Sequence, residues 1–247
     1  HTRLAHELHY FKDAKAIVLM SQINGSDVSR KSAVELEKLK AAYKDQGVLF
    51  YMINSRDSRD AAAAEAKLQG FDIPILVDEL QLVGESLGMQ REGEIFVVDP
   101  KNSFKIAYHG PVAQSAAAID SVAAGKPVAN PRVEVKSGAA IAFPERTKAA
   151  ELKNIKYSGE ITKILQDKCV SCHQKGGIAP FAMDSYEVIK GFAPMIRESV
   201  RTDRMPPYFA DPHIGQFKND QALTGALGGL AQRMEALAEK LAVKPAN

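Results

Sequence analysis

Tryptophan is absent from this 247-residue chain, and cysteine occurs only twice, as Cys169 and Cys172. Two thiols three positions apart exclude a disulfide-rich scaffold, which must staple distant loops. Long apolar runs are also lacking. Stretches such as Ala16–Met20 and Val48–Ile53 fall far short of the ~20 residues that cross a bilayer, so no membrane span is expected. Nor is one sign of charge in excess: 32 Lys and Arg face 30 Asp and Glu for a formal net charge of +2. Both signs are interspersed, which points away from nucleic acid and from a membrane surface. What remains, 45% hydrophobic and 25% charged residues, is the composition of a soluble globular protein, long enough for two ordinary domains.

Both cysteines fall in Cys-Val-Ser-Cys-His-Gln-Lys-Gly-Gly, residues 169–177, with His173 directly behind the second. Three chemistries use a Cys-x-x-Cys pair. A redox dithiol needs one low-pKa thiolate and is expected at a strand-to-helix turn. A zinc site usually needs a second pair of ligands at similar spacing, and no further cysteine exists. Covalent haem attachment uses two thioethers and takes the adjacent histidine as an axial ligand of iron. Immediate adjacency of His173 is required by the third chemistry and by neither of the others. One covalent haem c held by Cys169, Cys172 and His173 is therefore the expectation. Covalent haem implies export, so a periplasmic location is expected; the opening HTRLAHELHY carries no apolar signal region and is read as a processed start.

From Ala16 to about Ala124 the pattern alternates strands and helices. Ala16–Met20 and Val48–Ile53 are short continuous apolar runs, as in strands covered on both faces. Between them Leu36, Leu39 and Tyr43 form one stripe of a helix. A second helix is predicted over Arg59–Gln69, closed by Gly70. Then follow a strand Ile73–Val77, a helix Glu79–Leu87, a hairpin of Ile95–Val98 and Phe104–Tyr108, and a helix Ala113–Ala124 ending at Gly125. This order predicts an α/β sandwich.

The strand AIVLM, the turn INGSDVSRK, the strand GVLFYMINS, and the segments FDIPILVDELQLVGESLGM and EIFVVDP resemble a redoxin, of the thioredoxin-like family that includes peroxiredoxins and thiol-disulfide oxidoreductases. The resemblance covers roughly residues 8 to 128 and implies a thioredoxin-like fold. In that family the turn after the first strand carries the reactive cysteines; the corresponding positions here are Ser26 and Ser29. A serine hydroxyl has far too high a pKa to replace a thiolate nucleophile. The family's cis-proline is replaced as well, by Gly93, three residues before Phe96. The domain is thus expected to lack thiol chemistry, and Ser26 reads plainly as a helix N-cap.

Residues 126–157 hold three prolines and little periodicity. The expected organisation is a redoxin domain over 1–128, a linker over 129–157 running across the surface, and a mainly α cytochrome c-like haem domain over 158–247. Ser158 is a candidate N-cap for a helix with Ile161, Ile164 and Leu165 on one face, leading into Cys169.

The downstream motifs Gly-Gly-Ile-Ala-Pro-Phe (176–181) and Arg-Met-Pro-Pro-Tyr (204–208) resemble the cytochrome c-like domain found fused to redoxins and, in longer chains, ahead of copper type II monooxygenase domains. The match covers about residues 155 to 222. Met205 leads as distal ligand: Pro206 and Pro207 hold the chain behind it extended, and the family pattern puts a methionine before proline there. His213 is the alternative ligand, or a surface histidine. Met183 and Met195 read as core. Ile178, Pro180, Phe181, Phe192 and Tyr208 are expected haem-pocket walls. Arg197, Arg201 and Arg204 recur at i, i+4, i+7, either pairing with propionates or forming a solvated helix face.

With both axial positions filled, the expectation is a one-electron carrier rather than an enzyme, working with a redox protein partner, a copper monooxygenase among the candidates. The alternative is a haem enzyme or sensor, peroxidase-like, with a displaceable distal ligand. Toward the end, Leu227, Leu230, Met234, Leu237 and Leu241 form a heptad-like stripe, for packing on the haem-bearing helix or for a homodimer contact. The family's tryptophan is missing from that helix. His1, His6 and His9 read as a frayed polar end, with copper chelation by a terminal His1 as the other use.

Overall fold

Ala16 through Ser21, a run of apolar residues closed by one hydroxyl, forms the central strand β1, and every one of these side chains is inaccessible to solvent. In this computed structural model, which describes residues 8–144, 146–147, 156–202 and 204–207, the chain divides into two units, His1–Ala142 and Phe143–Asn247.

In the first unit β1 is followed by α1 (Asp27–Ala42), β2 (Val48–Asn54), α2 (Arg59–Gln69), β3 (Ile75–Val77), α3 (Leu82–Leu87), β4 (Glu94–Asp99), β5 (Lys105–Pro111) and α4 (Ala116–Ala123). The sheet order is β3-β2-β1-β4-β5. β1 pairs in parallel with β2, and β2 with β3, while β4 and β5 run antiparallel to their neighbours. This is the thioredoxin-like α/β fold. Alternation along β1 sends Ala16, Val18 and Met20 into a cluster with Ala33 and Leu36 of α1, Ala62 of α2 and Ile119 of α4; Ile17 and Leu19, equally buried, belong to the opposite face.

The helix α2 has the predicted bounds, because Ser58 caps its first turn and Gly70 takes the left-handed φ of 66° that ends it. Four expected elements start later in the chain. β3 begins at Ile75 rather than Ile73, since Pro74 has no amide to give the ladder; its carbonyl still accepts from Met52 N at 2.9 Å. α3 begins at Leu82 rather than Glu79, where the Asp78 carboxylate accepts from Val83 N and Gly84 N, at 3.1 and 2.8 Å, and Gln81 lies in the left-handed region. The second hairpin strand starts at Lys105, because Ser103 and Phe104 both adopt positive φ. The last helix opens as a 3-10 turn over Val112–Gln114 before α4.

The segment expected as a linker from residue 129 is in its first part an arm of the α/β unit. His109 N donates to Pro131 O at 2.9 Å, Val133 N to His109 O at 2.8 Å, and Ile141 N to Gln90 O at 2.8 Å.

The described part of the second unit is helical. A π-type turn over Tyr157–Ile161 leads into α5 (Thr162–Lys168), and α6 covers Tyr186–Arg201. Ser158 is not the N-cap expected of it: Lys156 precedes the π-type turn, Ile161 precedes α5, and Gly159, at φ −105° and ψ −108°, breaks the helical path between them. Ile161, Ile164 and Leu165 pack with Met183, Ile189 and Ile196. Among the described residues no helix is long and apolar enough to cross a membrane.

Candidate functional site

The end of α5 positions the Cys-x-x-Cys-His stretch. Cys169 N and Val170 N both donate to Leu165 O at 2.9 Å, which closes the helix. The Cys169 carbonyl then accepts from Cys172 N at 3.1 Å and His173 N at 2.9 Å. One carbonyl thus draws the second thiol and the imidazole into a tight turn at the helix end. The following loop needs glycine at 177, because a Cβ there would lie 2.4 Å from the Cys172 carbonyl oxygen. The loop returns to the motif through Ala179 N to Cys172 O, 3.2 Å, and Met183 N to His173 O, 2.7 Å.

His173 is 7% exposed. Its Nδ1 lies 3.0 Å from Phe181 O. A carbonyl can only accept, so Nδ1 carries the proton, and in the neutral ring Nε2 keeps its lone pair for another partner. The Phe181 ring lies 4.8 Å from the imidazole at 58°, and stacks on Phe192 at 4.1 Å. Both cysteines are free thiols. Burial, with the neighbouring Cys172 adding to it, pushes the Cys169 thiol up to about 11, the opposite of the low pKa that a redox nucleophile needs. Two thiols, a tautomer-locked imidazole and an aromatic pair therefore meet in one turn. Among the described residues no three His, Cys, Asp or Glu side chains gather as a metal-ion site of their own.

The other expected residues are placed less uniformly. Ile178 is 85% exposed and Pro180 is exposed, while Phe181 is half-buried and Phe192 is 37% exposed. Met183 joins the core as expected, but Met195 does not: it is 44% exposed on α6. Met205 is 37% exposed, and its amide donates to Ser199 O at 3.1 Å. The arginine stripe does not extend to Arg204, because α6 ends at Arg201; Arg204 lies in the loop beyond, where its guanidinium pairs with Glu198 and its Nε donates to Thr202 Oγ1 at 2.9 Å. Tyr208, His213, the Leu227–Leu241 stripe, His1, His6 and the side chain of His9 lie outside the described residues.

A second polar locus sits at the start of α1. Ser26 caps the helix, its Oγ accepting from Val28 N at 3.1 Å and Ser29 N at 3.4 Å, as expected. Ser29 is buried, accepts from Ile23 N at 3.0 Å and donates to Glu92 Oε2 at 2.6 Å. Glu92 is buried too, and its Oε1 accepts from Ala139 N at 2.7 Å. Burial alone would raise the Glu92 carboxyl; hydrogen bonds from Ala139, Ser26 and Ser29 outweigh it and hold the group below its ordinary value. Gly93 follows at φ 75°. Two residues after Glu92, at the start of β4, Glu94 accepts from Gln90 N at 2.8 Å and faces His109 Nε2 at 3.5 Å. Sequence reasoning missed Glu92, Glu94 and His109. The available signal was two acids opening a strand otherwise apolar, in Glu-Gly-Glu-Ile-Phe-Val-Val.

The fold and the α1 locus define a thioredoxin-like domain. The Redoxin family matches residues 5–124, so the N-terminal part of the chain is a redoxin domain, and those residues contain no cysteine. Among solved structures, a hypothetical protein from Sinorhizobium meliloti 1021 is 26% identical, covering 54% of this chain and 82% of that one, with a TM-score of 0.45. An uncharacterized conserved protein from Geobacillus kaustophilus is 24% identical, covering 52% and 77%, with a TM-score of 0.44. A thiol:disulfide interchange protein from Bacteroides sp. is 23% identical, covering 41% and 67%, with a TM-score of 0.36. The comparison with curated proteins found no match.

Proposed function

We propose that this protein is a periplasmic monohaem c-type cytochrome that carries single electrons, with its redoxin domain as scaffold or docking surface. The observation that carries the reading is the turn Cys169–His173, in which both thiols are free and the adjacent imidazole has Nδ1 engaged and Nε2 available. Cys169 and Cys172 would hold one haem c through thioethers, and His173 would ligate its iron. The bound haem supplies a one-electron couple. The chain supplies the rest. The Phe181 carbonyl locks the His173 tautomer and ring orientation, the kind of outer partner that raises a ligand's basicity. Phe181, Phe192, Ile178 and Pro180 offer the apolar surface that a porphyrin covers, and the exposure of Ile178 and Phe192 fits that use. Met205 is the proposed second ligand, and the partner is a redox protein.

The redoxin domain enters this reading without thiol chemistry of its own. Ser26 and Ser29 stand where the resemblance expects cysteines, and both hydroxyls are already engaged. The test is an optical and mass spectrum of the purified full-length protein. One haem retained after acidified organic extraction, with a six-coordinate His/Met signature lost in Met205→Ala, is the expected result; colourless protein overturns the reading. A second reading rests on the 37% exposure of Met205: a haem enzyme or sensor whose distal ligand leaves. Carbon monoxide binding to the reduced, unsubstituted protein would select it.

A further inference from the structure

The arm after α4 does more than follow the surface of the redoxin domain. Its last residues form an isolated antiparallel bridge with the chain that enters β4. Glu92 N donates to Ala139 O at 3.1 Å, Ile141 N donates to Gln90 O at 2.8 Å, and Arg91 faces Ala140 across the bridge. Side chains reinforce the backbone pairing: Arg91 Nη1 donates to Gly138 O at 2.9 Å, and Ala139 N donates to the Glu92 carboxylate. Ile141 is buried at the far end.

We propose that the edge Gln90–Gly93 is a docking site for an extended peptide, and that residues Ser137–Ile141 of this chain occupy it as a built-in strap. Main-chain bonds to a free strand edge bind an extended segment whatever its sequence, and side-chain fit selects which one. The fit here is specific. Gly138 has a φ of 91°, and a Cβ on it would lie 2.7 Å from Glu92 Cγ and 2.8 Å from Glu92 O. Only glycine enters, and three positions on an apolar residue buries. The peptide class is therefore Gly-x-x-apolar, which the strap itself supplies as Gly138-Ala139-Ala140-Ile141.

The strap also closes the start of α1: the position of a Gly138 Cβ is 3.4 Å from Val28 Cγ1. A second anchor at residues 131–133 pairs with His109, while Glu134, Lys136 and Ser137 between the anchors are exposed. The strap is thus tied at both ends and open in the middle, the arrangement of a segment that can be lifted without unfolding the sheet. This inference concerns the α/β unit alone and stands whatever the second unit carries.

The test uses the full-length protein, Gly138→Val, and a fluorescent peptide of residues 135–143, VKSGAAIAF. The expected result is at least about a ten-fold gain in peptide affinity over the unsubstituted protein, with none for a scrambled peptide, and faster thermolysin cleavage within 134–142. Faster cleavage without peptide binding, or no change in cleavage, overturns the proposal. Should the substitution unfold the unit by circular dichroism, hydrogen exchange of the unsubstituted protein decides. Amides of Glu92, Ala139 and Ile141 opening together, faster than those of Ile17–Met20, support the strap; exchange in step with β1 refutes it.

Discussion

At the scale of single residues, the contact between Ser29 and Glu92 governs what the redoxin domain can do. With Ser29 Oγ 2.6 Å from a buried carboxylate, restoring a cysteine does not restore its chemistry, because a thiolate beside that anion is disfavoured and its pKa rises above the usual ~8.5. Ser29→Cys is expected to alkylate at pH 7.5 at least about ten-fold more slowly than a free cysteine, and to speed up when Glu92→Gln is added, as read by site-resolved mass spectrometry. Equal rates with and without Glu92 would refute the argument. The same carboxylates set the acid limit of stability. Hydrogen bonds outweigh burial at Glu92 and at Glu94, where His109 and the Gln90 and Arg91 amides act, so both sit below their ordinary value when folded. The unfolded chain then binds more protons than the folded one as pH falls. Their contribution is complete above the ordinary carboxylate range and lost below about pH 4.5. Denaturant unfolding from pH 7 to 3 should show that loss, and the double variant Glu92→Gln, Glu94→Gln should flatten it.

At the scale of elements, α5 presents the Cys-x-x-Cys-His turn from a very small core. Leu165 is buried against Met183, Ile189 and Ile196, and its carbonyl receives both amides that end the helix. Leu165→Ala is expected to destabilise the second unit by about 2–5 kcal/mol, measured by urea unfolding. Legibility in the sequence followed the same logic of local signals. α2 was readable to the residue because its cap and its terminal glycine lie in its own sequence. β3 and α3 were overextended because what shortens them, Pro74 beside β2 and the reach of Asp78 to Val83 and Gly84, acts across a loop. The start of α5 was misplaced because a hydroxyl before an apolar stripe looks like a cap wherever a glycine does not intervene. The Cys169–His173 turn was legible outright, while the acid cluster at the mouth of β4 was not, since its partners Ser29, His109 and Ala139 come from distant stretches of chain.

At the scale of the whole molecule, each unit has a hydrophobic cluster of its own among the described residues, one built on the five-stranded sheet and one on α5 and α6. Calorimetry of the full-length protein is expected to resolve two transitions rather than one. If the proposed haem is attached, material produced without it should lose stability only in the transition of the second unit, because a ligand stabilises the state that binds it; equal shifts in both would argue against separate cores. The sequence by itself determined the α/β order of the first unit, the absence of thiols from residues 5–124 and the pairing of two thiols with an imidazole in one turn, because apolar periodicity, caps and short motifs are local properties. Only the tertiary structure decided that Ser29 lies against Glu92, that Glu94 faces His109 and that Gly138 fits over Gln90–Gly93. Such contacts join residues tens of positions apart, and strand register and chain return, which no local pattern encodes, bring them together.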